Sequence, residues 1–346
     1  MAYISFQPKD YFNTKLYTGN GSTNAITGVG FQPDWVWIKH RGDTHDHNAY
    51  DAVRGVTKMI TPNENYAEST VSDSLTSFDS DGFTLGNVAR SNASGGSLVS
   101  WNWKANGQGS SNTDGTINST YTSANTTSGF SIVSYTGNGT LGATVGHGLG
   151  QTPSVFLTKR LSGTSSWGMY HQSTGAGGFM EFNGTSGLQS NVAYFNNTAP
   201  TSSVFSIGTD AINNTSGSTY IAYCFAEKKG FSAMGSYTGN GNIDGPFNYC
   251  GFKPAFLMLK KTSGTGDWFI NDVKRNTFNV VNTQLYPNLN AAEENVNATQ
   301  LDILSNGFKL RGTTSNALNS GNDTYIYMAF AEEPLVSSNG VSATAR

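Results

Sequence analysis

Tyr17-Thr18-Gly19-Asn20-Gly21 returns as Tyr135-Thr136-Gly137-Asn138-Gly139 and again as Tyr237-Thr238-Gly239-Asn240-Gly241, at spacings of 118 and 102 residues. Downstream of each copy stands a proline and an apolar run that ends in lysine: Pro33-Asp34-Trp35-Val36-Trp37-Ile38-Lys39, Pro153-Ser154-Val155-Phe156-Leu157-Thr158-Lys159 and Pro254-Ala255-Phe256-Leu257-Met258-Leu259-Lys260. A closing block follows in the same order: Leu98-Val99-Ser100-Trp101-Asn102-Trp103, Tyr220-Ile221-Ala222-Tyr223-Cys224-Phe225 and Tyr325-Ile326-Tyr327-Met328-Ala329-Phe330. Three blocks in one order, three times over, define a threefold internal repeat. A period of about 100 residues is too long for a solenoid repeat, so the expectation is tandem domains that each close their own core.

Within each unit the hydrophobic period is two, and turn residues recur every eight to twelve positions. Tyr220–Phe225 is apolar throughout, as a strand buried on both sides would be. Phe179-Met180-Glu181-Phe182 and Phe308-Lys309-Leu310-Arg311 alternate. Asn20-Gly21, Asp81-Gly82 and Asn306-Gly307 read as hairpin turns. Only Asn63–Ser72 and Leu289–Asn297 offer a turn or two of helix. The fold expected is all-β: three tandem antiparallel β-sandwich domains of jelly-roll or lectin-like type. Trp103, Phe225 and Phe330 occupy one aligned position and read as the same core site filled three times.

Boundaries follow from the repeat. Residues 1–16 are a segment outside it, a possible anchor; 17–106 form the first unit. A polar, low-complexity stretch at 107–128 reads as a linker. The second unit covers 129–228 and the third 229–334, joined closely at Glu227-Lys228-Lys229-Gly230, and 335–346 are a small, polar tail.

Composition narrows the function. Of 346 residues only 12% are charged, against roughly 25% in an average soluble chain. The net charge of −3 gives no attraction for nucleic acid. No apolar run approaches the ~18 residues of a membrane helix, and Met1-Ala2-Tyr3-Ile4-Ser5-Phe6 lacks the basic start and apolar centre of a signal peptide. The two cysteines, Cys224 and Cys250, are too few for a disulfide scaffold and read as buried thiols, although a pairing between them stays open.

Candidate site residues are few. His40-Arg41-Gly42-Asp43-Thr44-His45-Asp46-His47 carries a His-x-His pair, His45 and His47, beside carboxylates, a ligand set that suits zinc, iron or nickel. The reading of that loop as polar and solvated competes with it, and no cofactor is expected. Trp167 and Trp268 align just beyond the lysine runs, with His47 in their place in the first unit. On a loop rim such rings would stack on the apolar face of a sugar; in the core they would be packing. The acids Glu181, Asp244, Asp267 and Asp272 show no spacing that singles out a glycosidase pair. No nucleophile elbow, phosphate loop or dinucleotide fingerprint appears. A non-enzymatic protein is expected.

Phe6-Gln7-Pro8-Lys9-Asp10-Tyr11-Phe12-Asn13-Thr14-Lys15-Leu16, Gly28-Val29-Gly30-Phe31-Gln32, Asp51-Ala52-Val53-Arg54-Gly55, Ser77-Phe78-Asp79-Ser80-Asp81-Gly82-Phe83-Thr84-Leu85-Gly86, Trp101-Asn102-Trp103-Lys104-Ala105 and the ending Ala331-Glu332-Glu333-Pro334 run along nearly the whole chain. With the repeated blocks between them, they resemble the repeat-bearing virion structural and tail-fibre-like proteins of tailed bacteriophages, those of cyanophages and other aquatic phages most of all. The resemblance implies a non-enzymatic protein on the virion surface, assembled in the host cytoplasm. It first implies a tail fibre or receptor-binding component that contacts host glycans. A capsid decoration protein whose three domains mimic a trimer is the alternative, and a polysaccharide-degrading tailspike a second one. The partners implied are other proteins of the tail or capsid, host cell-surface polysaccharide and further copies of the chain, with no nucleic acid and no membrane insertion.

Overall fold

In the computed structural model, which describes residues 6–297, 300–312, 317–334 and 336, the chain is almost entirely antiparallel β-structure. Each repeat contributes the same four strands to one sheet. A leading strand (Phe12–Thr18, Phe130–Thr136, Ser232–Thr238) pairs with the closing strand (Ser97–Trp103, Thr219–Phe225, Thr324–Pro334). The closing strand pairs in turn with the lysine strand (Trp35–His40, Val155–Arg160, Phe252–Lys261). A fourth strand (Asn48–Asp51, Trp167–His171, Trp268–Asp272) completes the order.

The registers coincide. Trp103 lies opposite Phe12 and Trp35, Phe225 opposite Phe130 and Val155, and Phe330 opposite Ser232 and Phe256.

Because side chains alternate across a strand, the continuous apolar runs supply two faces. One face packs inside its own repeat against a smaller sheet. Val36, Ile38 and Leu98 meet Ile26, Phe83 and Leu85. Phe156, Tyr220 and Ala222 meet Val145, Phe205 and Ile207. Leu257, Leu259 and Tyr325 meet Ile303, Phe308 and Leu310.

The opposite faces of all three sheets converge in a single cluster that includes Trp35, Trp37, Trp101, Leu157, Tyr223, Phe256, Met258 and Met328. The ring centroids of Trp103, Phe225 and Phe330 lie 5.6–6.4 Å apart in all three pairs. The aligned aromatic position therefore fills one shared site with three residues. It is not one site occurring in three separate cores, and the units do not close their cores one by one. A void of about 10 Å³ remains among these apolar side chains, too apolar to hold water.

Several boundary expectations change. The stretch 107–128 is not a linker: Ser110–Asn112 and Ser119–Asn125 are strands that extend the second sheet beyond its leading strand. Its Ser/Thr composition suits an edge with one solvated face, and low complexity concealed this. Of the proposed anchor, residues 1–5 lie outside those described, while Phe6 packs on Tyr11 and Phe231 and residues 12–16 belong to the leading strand. The proposed tail, apart from residue 336, also lies outside the described residues.

Asn20-Gly21 does not turn a hairpin but carries the chain from the large sheet to the small one. In each repeat the first glycine of that motif presses on a neighbouring loop, where a Cβ would lie 2.1 Å from the Ala93 oxygen, 2.6 Å from that of Thr215 and 2.2 Å from that of Ser320. The neighbouring asparagine N–H (Asn20, Asn138, Asn240) donates to a buried asparagine, Asn92, Asn214 or Asn319. The motif recurs because it latches the two sheets together. The helical turn expected at 63–72 does not form, nor does one over 289–296, and one-turn α-helices occur at Ala89–Asn92 and Val192–Phe195.

A shared core predicts shared unfolding. Trp103→Ala should cost about 3–5 kcal/mol and lower a single calorimetric transition for the whole chain. Separate transitions, with only the first one shifted, would mean independent cores.

Candidate functional site

The residues singled out from sequence lie between the repeats. His47, Trp167 and Trp268 are 0%, 1% and 1% exposed, so none stands on a rim open to a sugar. Each has its backbone N–H held by an asparagine side chain, Asn63, Asn183 or Asn288. Each then reaches into the next repeat in cyclic order. Trp167 Nε1 donates to Thr61 O of the first repeat at 3.1 Å, and Trp268 Nε1 to Glu181 O of the second at 3.2 Å. His47 Nε2 lies 3.0 Å from Tyr286 O of the third.

Trp37 Nε1 donates to His47 Nδ1 at 2.9 Å, which places the histidine proton on Nε2 and leaves no lone pair for a metal. Burial holds this imidazole well below its ordinary range. His45 remains in the loop beside His40 and Asp43, with 3.9 Å from its Nε2 to the carboxylate. Thus the fold does not gather His45 and His47 as a ligand pair, and among the described residues no group of three or more His, Cys, Asp or Glu could hold a metal.

The lysines that end the apolar runs serve the same seams. Lys159 Nζ donates to Asn65 O and Ser165 O, and Lys260 Nζ to Thr185 O and Gly266 O, each joining two repeats. Lys39 Nζ instead bonds His40 O and Asp43 O within its own loop. Burial lowers the three ammonium groups to about 8 (Lys39), 7 (Lys159) and 8 (Lys260). Cys224 is buried, Cys250 is half-buried, and both are free thiols.

A second set of polar groups distinguishes the three seams. At the first-to-second seam, Asp51 pairs with Arg54 at 2.6 Å and accepts a 2.7 Å bond from Tyr223 Oη, while Arg54 also meets Glu68. At the third-to-first seam, Asp272 pairs with Arg275 at 2.6 Å and accepts from Trp101 Nε1, while Arg275 and Arg41 both meet Glu293.

The second-to-third seam departs from this pattern. Register places His171 where Asp51 and Asp272 stand, opposite Val155. Met328 stands where Tyr223 and Trp101 would donate. With no donor there, His171 Nε2 faces Tyr327 O at 3.2 Å. Three residues past His171 is Thr174, in place of the arginine. The backbone N–H groups of Glu68, Leu188 and Glu293 bond Leu161 O, Thr262 O and Arg41 O, so leucine replaces the glutamate.

Where the other seams are plugged by ion pairs, this one holds a cleft of about 370 Å³. It is lined by Ser173, Thr174 and Leu188 of the second repeat and by Ser236, Thr238, Thr262 and Thr324 of the third, with Tyr237, Tyr325 and Ile326 behind. Among the described residues no charged side chain lines it. Sequence reading passed over these residues because Ser and Thr are everywhere in the chain. The readable signal was the loss of Asp, Arg and Glu from one repeat of three.

Comparison with known proteins gives one match. A family model described as "Domain of unknown function (DUF7483)" covers residues 7–334. No curated protein and no solved structure matches the chain.

Two outcomes follow from the seams. Trp167→Ala and Trp268→Ala should each destabilise the fold by about 3–5 kcal/mol, read by urea denaturation; folded, fully stable variants would return both rings to a binding role. Acid should also act through His171, which burial lowers from 6.5 to about 4. The unfolded chain takes up that proton first, so stability is lost as pH falls from about 6.5 towards 4. His171→Gln should flatten that slope, and an unchanged slope would assign acid sensitivity elsewhere.

Proposed function

The chain belongs to the DUF7483 family, and we propose that it is a non-enzymatic structural protein of a tailed-phage virion surface, in which three tandem β-sandwich units stand in for a trimer. The observation that carries this reading is the cyclic closure of the three repeats around one aromatic core. Repeat one bonds repeat two, two bonds three, and three bonds one, through corresponding positions. Units strung on linkers would suit a rod-like fibre; a closed ring of three suits a cap over a position of local threefold symmetry on a shell. Few charges and an Asn-, Ser- and Thr-rich exterior fit a permanently exposed particle surface. The capsid decoration reading is therefore placed ahead of the tail fibre.

The second reading, a tail-fibre or receptor-binding component, is favoured by the open seam between repeats two and three, which is shaped to take a small polar ligand. The tailspike reading gains nothing from the acids. Asp272 is buried against Arg275, Asp244 pairs with Lys309, Asp267 accepts from Asn288, and neither these three nor Glu181 lines the cleft.

Immunogold labelling of intact particles with an antibody to the isolated protein tests the proposal. Label distributed over the head is the expected result. Label confined to the tail would transfer the assignment to host attachment, and particles without label would overturn the virion role.

A further inference from the structure

We infer that the cleft between the second and third repeats is a binding site for a neutral carbohydrate. The inference does not depend on where in a particle the chain is mounted, so it can fail or stand independently of the virion role.

The first argument is the broken pattern. Two seams are filled by an arginine held between an aspartate and a glutamate, and the side chains of Arg54 and Arg275 are only 4% and 0% exposed. At the third seam all three members of that set change together, to His171, Thr174 and Leu188. The backbone bonds that define the seam persist, with Leu188 N–H on Thr262 O as Glu68 N–H is on Leu161 O. Two of the three exchanged residues, Thr174 and Leu188, line a cleft of about 370 Å³, inside the roughly 300–1,000 Å³ range of small-molecule sites.

The second argument is the chemistry of the walls. Ser173 and Thr174 form one side, and Ser236, Thr238, Thr262 and Thr324 the other, with Ser173, Ser236, Thr238 and Thr324 exposed. Thr174 Oγ1 donates to His171 O, and the Thr262 and Thr324 hydroxyls bond each other at 2.7 Å, each keeping acceptor capacity. The hydroxyls of Ser173, Ser236 and Thr238 can donate as well as accept, which matches a ligand made of hydroxyls. With no arginine or lysine in the lining, phosphate and carboxylate find no counter-charge. With no carboxylate, a cation finds none either. Leu188, 42% exposed at the mouth, offers an apolar patch for the C–H face of a sugar ring.

The leading strand of the third repeat is a sheet edge, which raises the alternative of an added peptide strand. That edge is already engaged at Met234, whose N–H meets the Glu227 carboxylate and whose oxygen accepts from Gln172 Nε2 at 2.6 Å. Only Ser236–Thr238 remain along the cleft. That is too short a ladder for strand addition and well suited to bonding single hydroxyls.

The test titrates neutral trisaccharides (maltotriose, mannotriose and galactotriose) into the full chain and follows backbone amide resonances. At least one sugar should shift Ser173, Thr174, Ser236, Thr238 and Thr262 in a saturable manner. The variant Thr174→Arg/Leu188→Glu rebuilds part of the filling of the other seams and should weaken that binding at least about tenfold while leaving the unfolding midpoint unchanged or raised. Ser236→Gln, an exposed change at the cleft wall, should weaken it too if the double variant fails to fold. No saturable shift with any of the sugars, or shifts unaffected by these changes, would overturn the inference. Shifts with an extended Ser/Thr peptide but with none of the sugars would overturn it in favour of strand addition.

Discussion

Mutual burial of Trp103, Phe225 and Phe330 is the constraint on which the remainder depends. Trp103 and Phe225 end their closing strands, Phe330 holds the same register position in the third, and the three rings pack on one another. A sheet with one apolar face can be satisfied by its own small partner sheet. These sheets are apolar on both faces, and the second face would confront water if a repeat stood alone. Removing water from that face ties three similar units into one body, and the seams, lysines and cyclic hydrogen bonds all sit at the border of that contact.

The border shows how strictly buried polar atoms must be matched. Aspartate meets a tyrosine hydroxyl in one seam and an indole N–H in another. In the third seam methionine offers no donor, the aspartate is gone, and a neutral histidine turns its own N–H to a backbone carbonyl. An aspartate left opposite methionine would keep its arginine but lose one of the donors to its buried carboxylate. The exchange therefore runs in concert across the seam. It also removes the arginine and glutamate present in the other two seams, and the residues in their places, Thr174 and Leu188, border a cleft.

The repeats thus divide their tasks. What is common to all three, from the Tyr-Thr-Gly-Asn-Gly latch to the aligned aromatic of the shared core, holds sheets and repeats together. The Asp-Arg-Glu set differs where the second repeat meets the third, and Thr174 and Leu188, which replace two of its members, border the cleft there. In a chain of such uniform polar composition, departure from its own internal pattern is what sets one seam apart from the other two.

Strand, period and repeat were legible in the sequence because they depend on neighbours two residues apart and on blocks that recur in order. Tyr220–Phe225 announced a strand buried on both sides without revealing what would bury the second face. Trp167, Trp268 and His47 were visible as equivalent positions, but whether an aromatic ring faces solvent or a neighbouring repeat is settled by contacts 87 to 239 residues apart along the chain. Residues 107–128 looked like a linker because Ser, Thr and Asn serve edge strands and loops alike. By itself, then, the sequence determined an all-β chain of three like parts. Only the tertiary structure decided that the parts share a core, because apolar surface reads the same whether a domain buries it alone or against its neighbours.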